Sequence, residues 1–242
     1  MDLSGRVAIV TGGGTGLGAE VCRQLAGAGA RVCVNWSRSE AAARELAASL
    51  GDPTSAVAVQ ADVRDEAQVA AMVASTERAF GAPVDLLVNN AGVTTYVPAD
   101  DLDAISTEDW ERIFGINVIG AWHCTKAVAG GMRARGAGAV VNVASDAAIL
   151  LEGSSVPYVV SKVALVALTR TLAGALAPAV RVNAVAPGWM DTPWLDRYVP
   201  ADVAAALRRG DEPVVAVDRV AAEILRLLAD DAANGTVVQL SE

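Results

Sequence analysis

The sequence predicts an α/β fold: a doubly wound parallel sheet of seven strands, with helices on both faces, in a single domain. Three observations predict it. Short runs rich in Val and Ile alternate with longer Ala-rich segments of helical period, the pattern of a parallel sheet covered on both sides. A glycine-rich string joins the first apolar run to the first helical segment. The alternation runs through all 242 residues without a linker or a repeat. That length suits one α/β domain, which buries about three quarters of its unfolded surface and needs no staples.

The strands are predicted at 6–11, 31–35, 56–60, 86–89, 139–144, 180–185 and 236–240. Helices are predicted between them at 17–28, 39–50, 66–80, 107–135, 157–176 and 218–229. Three starts carry capping signals: Ser39 before Glu40, Asp65 before Glu66, and Thr107 before Glu108 and Asp109. Two irregular stretches, 92–106 and 187–213, follow strand ends. They fall on the edge where open α/β sheets bind ligands.

Composition excludes several classes. Cys22, Cys33 and Cys124 are odd in number and far apart, which argues against a disulfide framework and suits a reducing cytoplasm. The lone His123 reads as an ordinary helix residue, and no metal is expected. A net charge of −9 disfavours nucleic acid or an anionic membrane as partner. The first apolar run is too short for a signal peptide, and no stretch approaches the ~20 uninterrupted apolar residues of a membrane span.

The first strand leads into Thr11-Gly12-Gly13-Gly14-Thr15-Gly16-Leu17-Gly18 and then a helix. Glycines there let the backbone turn tightly and approach a pyrophosphate, which sits on the free N–H groups of the helix N-terminus. In a βαβ context this reads as a dinucleotide site of Rossmann type. At the end of the second strand an acid would accept the ribose hydroxyls of NAD and repel a 2′-phosphate. The sequence instead has Asn35-Trp36-Ser37-Arg38-Ser39. Asn35 and Ser37 can hydrogen-bond a phosphate and Arg38 can pair with it, which favours NADP(H) over NAD(H). The alternative makes Arg38 a solvated charge at a helix start.

Tyr158 and Lys162 stand four apart on a predicted helix and share a face. A phenol near pKa 10 is a poor acid–base group at neutral pH, and a neighbouring ammonium should lower it. Ser145, ending a central strand, can donate a hydrogen bond to a carbonyl or alkoxide oxygen.

Four motifs occur in a telling order: the glycine string, Asn89-Asn90-Ala91-Gly92, Ser145 with Tyr158-Val159-Val160-Ser161-Lys162, and Pro187-Gly188-Trp189-Met190-Asp191-Thr192. Together they closely resemble the short-chain dehydrogenase/reductase family, in its compact single-domain branch of ketoacyl and polyketide reductases, across roughly residues 5–240. The resemblance implies Tyr158 as general acid in reduction and base in oxidation. It implies Lys162 as holder of the nicotinamide ribose, Ser145 as orienter of the substrate oxygen, and Asn117 as holder of a proton-relay water. It places Asp62 and Val63 at the adenine, Asn90, Ala91 and Gly92 along the ribose, and Pro187, Gly188 and Thr192 at the carboxamide and phosphates. Asn89 is expected to tie the central strands together.

Three departures stand out. Thr15 replaces a basic residue common in NADP-preferring relatives, 212–217 lacks their Pro-Leu-Gly-Arg, and the sequence ends at Leu240-Ser241-Glu242 without their Asp-Gly-Gly turn. A homo-oligomer, tetramer or dimer, is implied by the family, and the short tail bears on the tetramer. Substrate-binding segments are expected at about 93–106, 146–156 and 188–213. Tyr96, Ile149, Leu150, Leu151, Trp189, Met190, Trp194, Leu195 and Tyr198 suggest an apolar, aromatic or polyketide-like small molecule, with Asp146 and Glu152 as polar candidates. The expected reaction interconverts a ketone and a secondary alcohol. The alternatives are NAD-dependent alcohol or diol oxidation, imine reduction, epimerisation, and a nucleotide-binding regulator without turnover.

Overall fold

The structure, a computed structural model, describes residues 1–241; Glu242 lies outside them. Seven parallel strands form one sheet in the order β3-β2-β1-β4-β5-β6-β7. They are β1 Val7–Val10, β2 Arg31–Trp36, β3 Ala56–Gln60, β4 Leu86–Asn89, β5 Ala139–Val143, β6 Arg181–Pro187 and β7 Val237–Leu240. The helices are α1 Gly16–Gly27, α2 Glu40–Leu50, α3 Glu66–Phe80, α4 Thr107–Phe114, α5 Ala121–Arg135, α6 Ala147–Leu150, α7 Val156–Leu176, α8 Pro193–Tyr198, α9 Ala201–Arg209 and α10 Val217–Ala229.

The apolar runs make strands because both sheet faces are covered. In β1, Ala8 and Val10 pack on one side with Leu25 of α1 and Ile224 of α10. Val7 and Ile9 pack on the other with Met72 of α3, Met132 of α5 and Leu172 of α7. Each fully buried Val or Ile contributes about 1.5–3 kcal/mol relative to exposure. A buried cation ties the far edge together: Arg181 of β6 donates to the carbonyls of Leu227 (2.9 Å) and Ala233 (3.2 Å) at the end of α10.

Several details differ from expectation. The span 107–135 is not one α-helix: a π turn, Gly115–Gly120, separates α4 from α5. Ser106, rather than Thr107, caps α4 in a capping box with Asp109. Asp65 caps α3 as expected, whereas the Ser39 side chain makes no cap bond. The irregular stretch 187–213 contains α8 and α9, and a single 3-10 turn, Leu102–Ala104, lies within 92–106. Helix α7 reaches 21 residues at a mean hydropathy of 1.6 and passes for a membrane span by length and composition. It lies instead along the sheet, with buried Lys162 and with Thr169 bonded to Asn142 of β5.

Because every strand is parallel, all the C-terminal ends open on one edge. The strand order reverses between β1 and β4, the usual crevice for a nucleotide. Asn90 closes that crevice, donating through Nδ2 to the carbonyls of Thr11 (2.9 Å) and Gly12 (3.1 Å).

Candidate active site

One cleft of about 1300 Å³ runs along this edge, from Arg38 beyond β2 to Tyr198 on α8. It gathers nearly every residue singled out in the sequence: Gly12, Thr15, Gly16 and Leu17; Asn35, Ser37 and Arg38; Asp62 and Val63; Asn90, Ala91 and Gly92; Ser145, Tyr158 and Lys162; and Pro187, Gly188 and Thr192. Gly18 and Asn117 stand behind its wall.

The glycine loop fits a pyrophosphate. Gly16 has φ +53°, and a Cβ there would press on Thr192 at 3.3 Å. A Cβ on Gly18 would collide with the carbonyl of Gly12, so this glycine lets α1 close on the loop. Thr15 precedes α1 without capping it through its side chain, and no acidic residue lies in the first turn. The first N–H groups and the positive helix end therefore face the cleft without an internal anion.

At the ends of β2 and β3 the expectation for Asn35 is corrected. Its side chain is consumed inside the protein: Oδ1 accepts from Gly12 N (3.2 Å), and Nδ2 donates to Val59 O (3.3 Å) and Ala61 O (3.2 Å). At 2% exposure it anchors the glycine loop and has no amide left for a phosphate. Ser37 and Arg38 are exposed, and among the described residues Arg38 forms no ion pair, although its charge reaches Asp62. Asp62 is held by Arg64 at 2.5 Å, and this hydrogen bond keeps its carboxyl below the usual range. Arg64 also lines the cleft, and sequence reading missed it.

Tyr158 and Lys162 do share a face of α7, with Nζ 5.6 Å from the phenol ring centroid. Nζ donates to Val143 O at 2.8 Å. Burial lowers the Lys162 pKa to about 8. The expectation that Lys162 depresses Tyr158 is not met here. Burial pushes the phenol up to about 12, with Ser145 opposing and the Asp146 carboxylate adding to the rise. The physical reason is that the ammonium is turned to the Val143 carbonyl, so desolvation dominates the phenol.

Ser145 Oγ donates to Asp146 Oδ1 at 3.2 Å and accepts from Ala147 N at 3.2 Å. Asn117, inside the π turn, accepts from Val93 N (2.9 Å) and donates to Val93 O (3.0 Å) and Ser161 Oγ (3.0 Å). Asn117 Oδ1 and Lys162 Nζ flank the same Gly92. As expected, Asn89 binds structure: Nδ2 donates to Asn142 Oδ1 (2.8 Å) and Thr125 Oγ1 (3.1 Å).

The other end of the cleft is aromatic. The Tyr158 and Trp194 ring centroids are 6.2 Å apart, and those of Trp194 and Tyr198 are 4.5 Å apart. Tyr96, Leu150, Trp189 and Met190 join this wall, as do the polar candidates Asp146 and Glu152. Three expectations fail: Leu195 is fully buried on the inner side of α8, and Ile149 and Leu151 lie outside the cleft at 45% and 68% exposure. Arg112 and Arg197 also line this end. Sequence reading named neither: Arg112 enters on α4, outside the predicted substrate segments, and Arg197 lies inside 188–213 beside Trp194 and Tyr198 but was passed over for the apolar residues.

Comparison with known proteins now places the molecule. The model of the short chain dehydrogenase family matches residues 6–202, and the chain belongs to the short-chain dehydrogenase/reductase family, a class of NAD(P)-dependent oxidoreductases. It is 46% identical over 188 residues to a protein assigned as ketoacyl reductase 2 of the granaticin polyketide synthase of Streptomyces violaceoruber, covering 78% of this chain and 74% of that one. It is 37% identical to the cis-4-hydroxycyclohexanecarboxylate dehydrogenase of Sinomonas cyclohexanicum, covering 96% and 92%. The crystal structure of the Brucella melitensis 3-ketoacyl-(acyl-carrier-protein) reductase with NADH superposes with a TM-score of 0.87 at 31% identity, covering 98% and 97%.

Proposed function

We propose that this oxidoreductase is an NADP(H)-dependent reductase that interconverts a ketone and a secondary alcohol on a mainly apolar, aromatic or polyketide-like small molecule. The observation that carries it is the meeting of Ser145, Tyr158 and Lys162 in one cleft with the glycine loop and an aromatic wall. The granaticin-type relative supports the polyketide-like reading. Arg38, exposed beyond β2 with no acid at that strand end, supports the 2′-phosphate.

The glycine loop, Asp62, Asn90 and Thr192 would hold the dinucleotide, and Lys162 its nicotinamide ribose. Bound there, the nicotinamide supplies hydride to the carbonyl carbon or takes it back. Tyr158 gives its phenolic proton to the substrate oxygen in reduction. A phenol pushed up to about 12 keeps that proton at neutral pH, which suits reduction. Ser145 turns its hydroxyl from Asp146 to the same oxygen, and Asn117 holds a relay water beside Lys162. Segments 93–106, 146–156 and 188–213 close over the substrate.

A cytoplasmic homo-oligomer, tetramer or dimer, completes the reading. Ile119, Trp122, Val160 and Val163 leave 38–45% of their surface exposed on α7 and the helix beside it.

The test is steady-state reduction of an aromatic ketone with NADPH and with NADH. Expected is a higher kcat/KM with NADPH, and a preference cut about tenfold by Arg38→Gln, the size of one charge-assisted phosphate contact. Equal use of both cofactors by the unaltered protein refutes the NADP assignment, and no reduction of any ketone refutes the reaction.

A further inference from the structure

The aromatic wall ends on a cation that has no acid to answer it. Trp194 and Tyr198 lead outward from Tyr158, and the Arg197 guanidinium lies 5.2 Å from the Tyr198 ring centroid. Arg197 is exposed to solvent at the rim, and its contact with the ring face biases the side chain toward the cleft that it lines. Asp196 and Asp191 are already taken, since Arg208 of α9 binds them at 2.8 Å and 2.9 Å, and among the described residues Asp202 makes no ion pair with Arg197. Glu152 and Glu212 line the same cleft, yet neither lies within ion-pair distance of Arg197 among the described residues. In a chain of net charge −9, a cation left unpaired at the rim of an aromatic cleft is a selective feature.

We propose that Arg197 is a specificity residue that binds an anionic oxyacid group, carboxylate or phosphate, at the end of the substrate remote from the reacting carbonyl. This rests on the reading of the cleft as a ketone site and adds the chemistry of the substrate's far end. The ring system lies along Trp194 and Tyr198, the carbonyl reaches Tyr158 and Ser145, and the anion meets the planar guanidinium.

Two matched pairs test it. One is β-tetralone and its ring-carboxylated counterpart; the other is acetoacetyl N-acetylcysteamine and acetoacetyl phosphopantetheine. Expected is a preference of about fivefold in kcat/KM for the anionic member of one pair. Arg197→Gln should bring that ratio close to one, and Arg197→Lys should keep part of it. The pair that responds tells carboxylate from phosphate. Kd for each compound, read from tryptophan quenching, separates binding from turnover. An Arg197-dependent anion preference in Kd without any reduction supports the inference and sinks only the reductase reading. No anion preference in either pair, or one that survives Arg197→Gln, overturns it.

Discussion

Two buried polar clusters lie side by side beneath α7, and they are built on opposite terms. In the first, Asn89, Asn142, Thr125 and Thr169 are neutral and tied to each other, with Asn89 Oδ1 alone unpartnered: Asn142 Nδ2 donates to Thr169 Oγ1 at 2.8 Å, and both threonine hydroxyls donate on to helix carbonyls. In the second, Lys162 is a buried ammonium with one carbonyl partner, and Tyr158 is a half-buried phenol at the cleft wall, pushed up to about 12. The difference teaches where stability and chemistry reside. A cluster of mutually bonded neutral groups fixes β4 and β5 against their helices. A cluster that keeps a charge out of water carries an electrostatic cost that ligand and substrate oxygens can relieve.

The sharpest way to break the comparison is at the phenol. Tyr158→Phe should lower kcat about 10³-fold while cofactor binding by fluorescence titration persists, because only the proton donor is removed. Retained turnover would move the acid elsewhere. Next comes the pH profile. Alcohol oxidation needs the phenolate, so its kcat/KM should climb about tenfold per pH unit through neutral and mildly alkaline pH, below the value near 12. Reduction should not rise with pH over that range; a parallel rise in both directions would contradict the assignment.

Stability separates the clusters by sign. Asn142→Ala strips partners from Asn89 and Thr169 and should cost about 2–3 kcal/mol, a fall in Tm of roughly 5–10 °C. Lys162→Met removes a buried charge and should stabilise by about 1–2 kcal/mol, or a few degrees, while abolishing turnover. The linkage sign agrees. Between about 8 and its ordinary 10.5, Lys162 has lost its proton in the folded chain and kept it in the unfolded one. Stability contributed by this group therefore rises with pH across that window, and the rise should vanish in Lys162→Met. A drop in Tm for Lys162→Met would place the lysine with the structural cluster.

What could be read from the sequence was what depends on neighbours along the chain. The glycine string, the Tyr158–Lys162 spacing and the strand-end position of Ser145 are local, and the cleft brings all three together. Asn35 misled because its polarity suggested a ligand contact, whereas burial made it an anchor for Gly12. Arg197 was invisible as a site residue, since its meaning lies in Arg208 having taken Asp191 and Asp196. Helices α8 and α9 are too short for periodicity to register, although Pro193 at the start of α8 was a usable signal. The π turn shares its composition with an α-helix, and only tertiary packing tells them apart.

That turn makes the length of the chain between Gly115 and Gly120 matter in its own right. A π turn is an α-helix with one residue too many, so shortening this segment by a single residue would restore ordinary helical hydrogen bonding. It would also swing everything on one side of the deletion by about 100° relative to the other, one residue's share of a helical turn. Either Asn117 would lose Val93 and Ser161, or α5 would lose its packing on α3. A change that makes the helix more regular would thus dismantle what it carries, and insertions and deletions should be tolerated far less here than on the exposed side of α9.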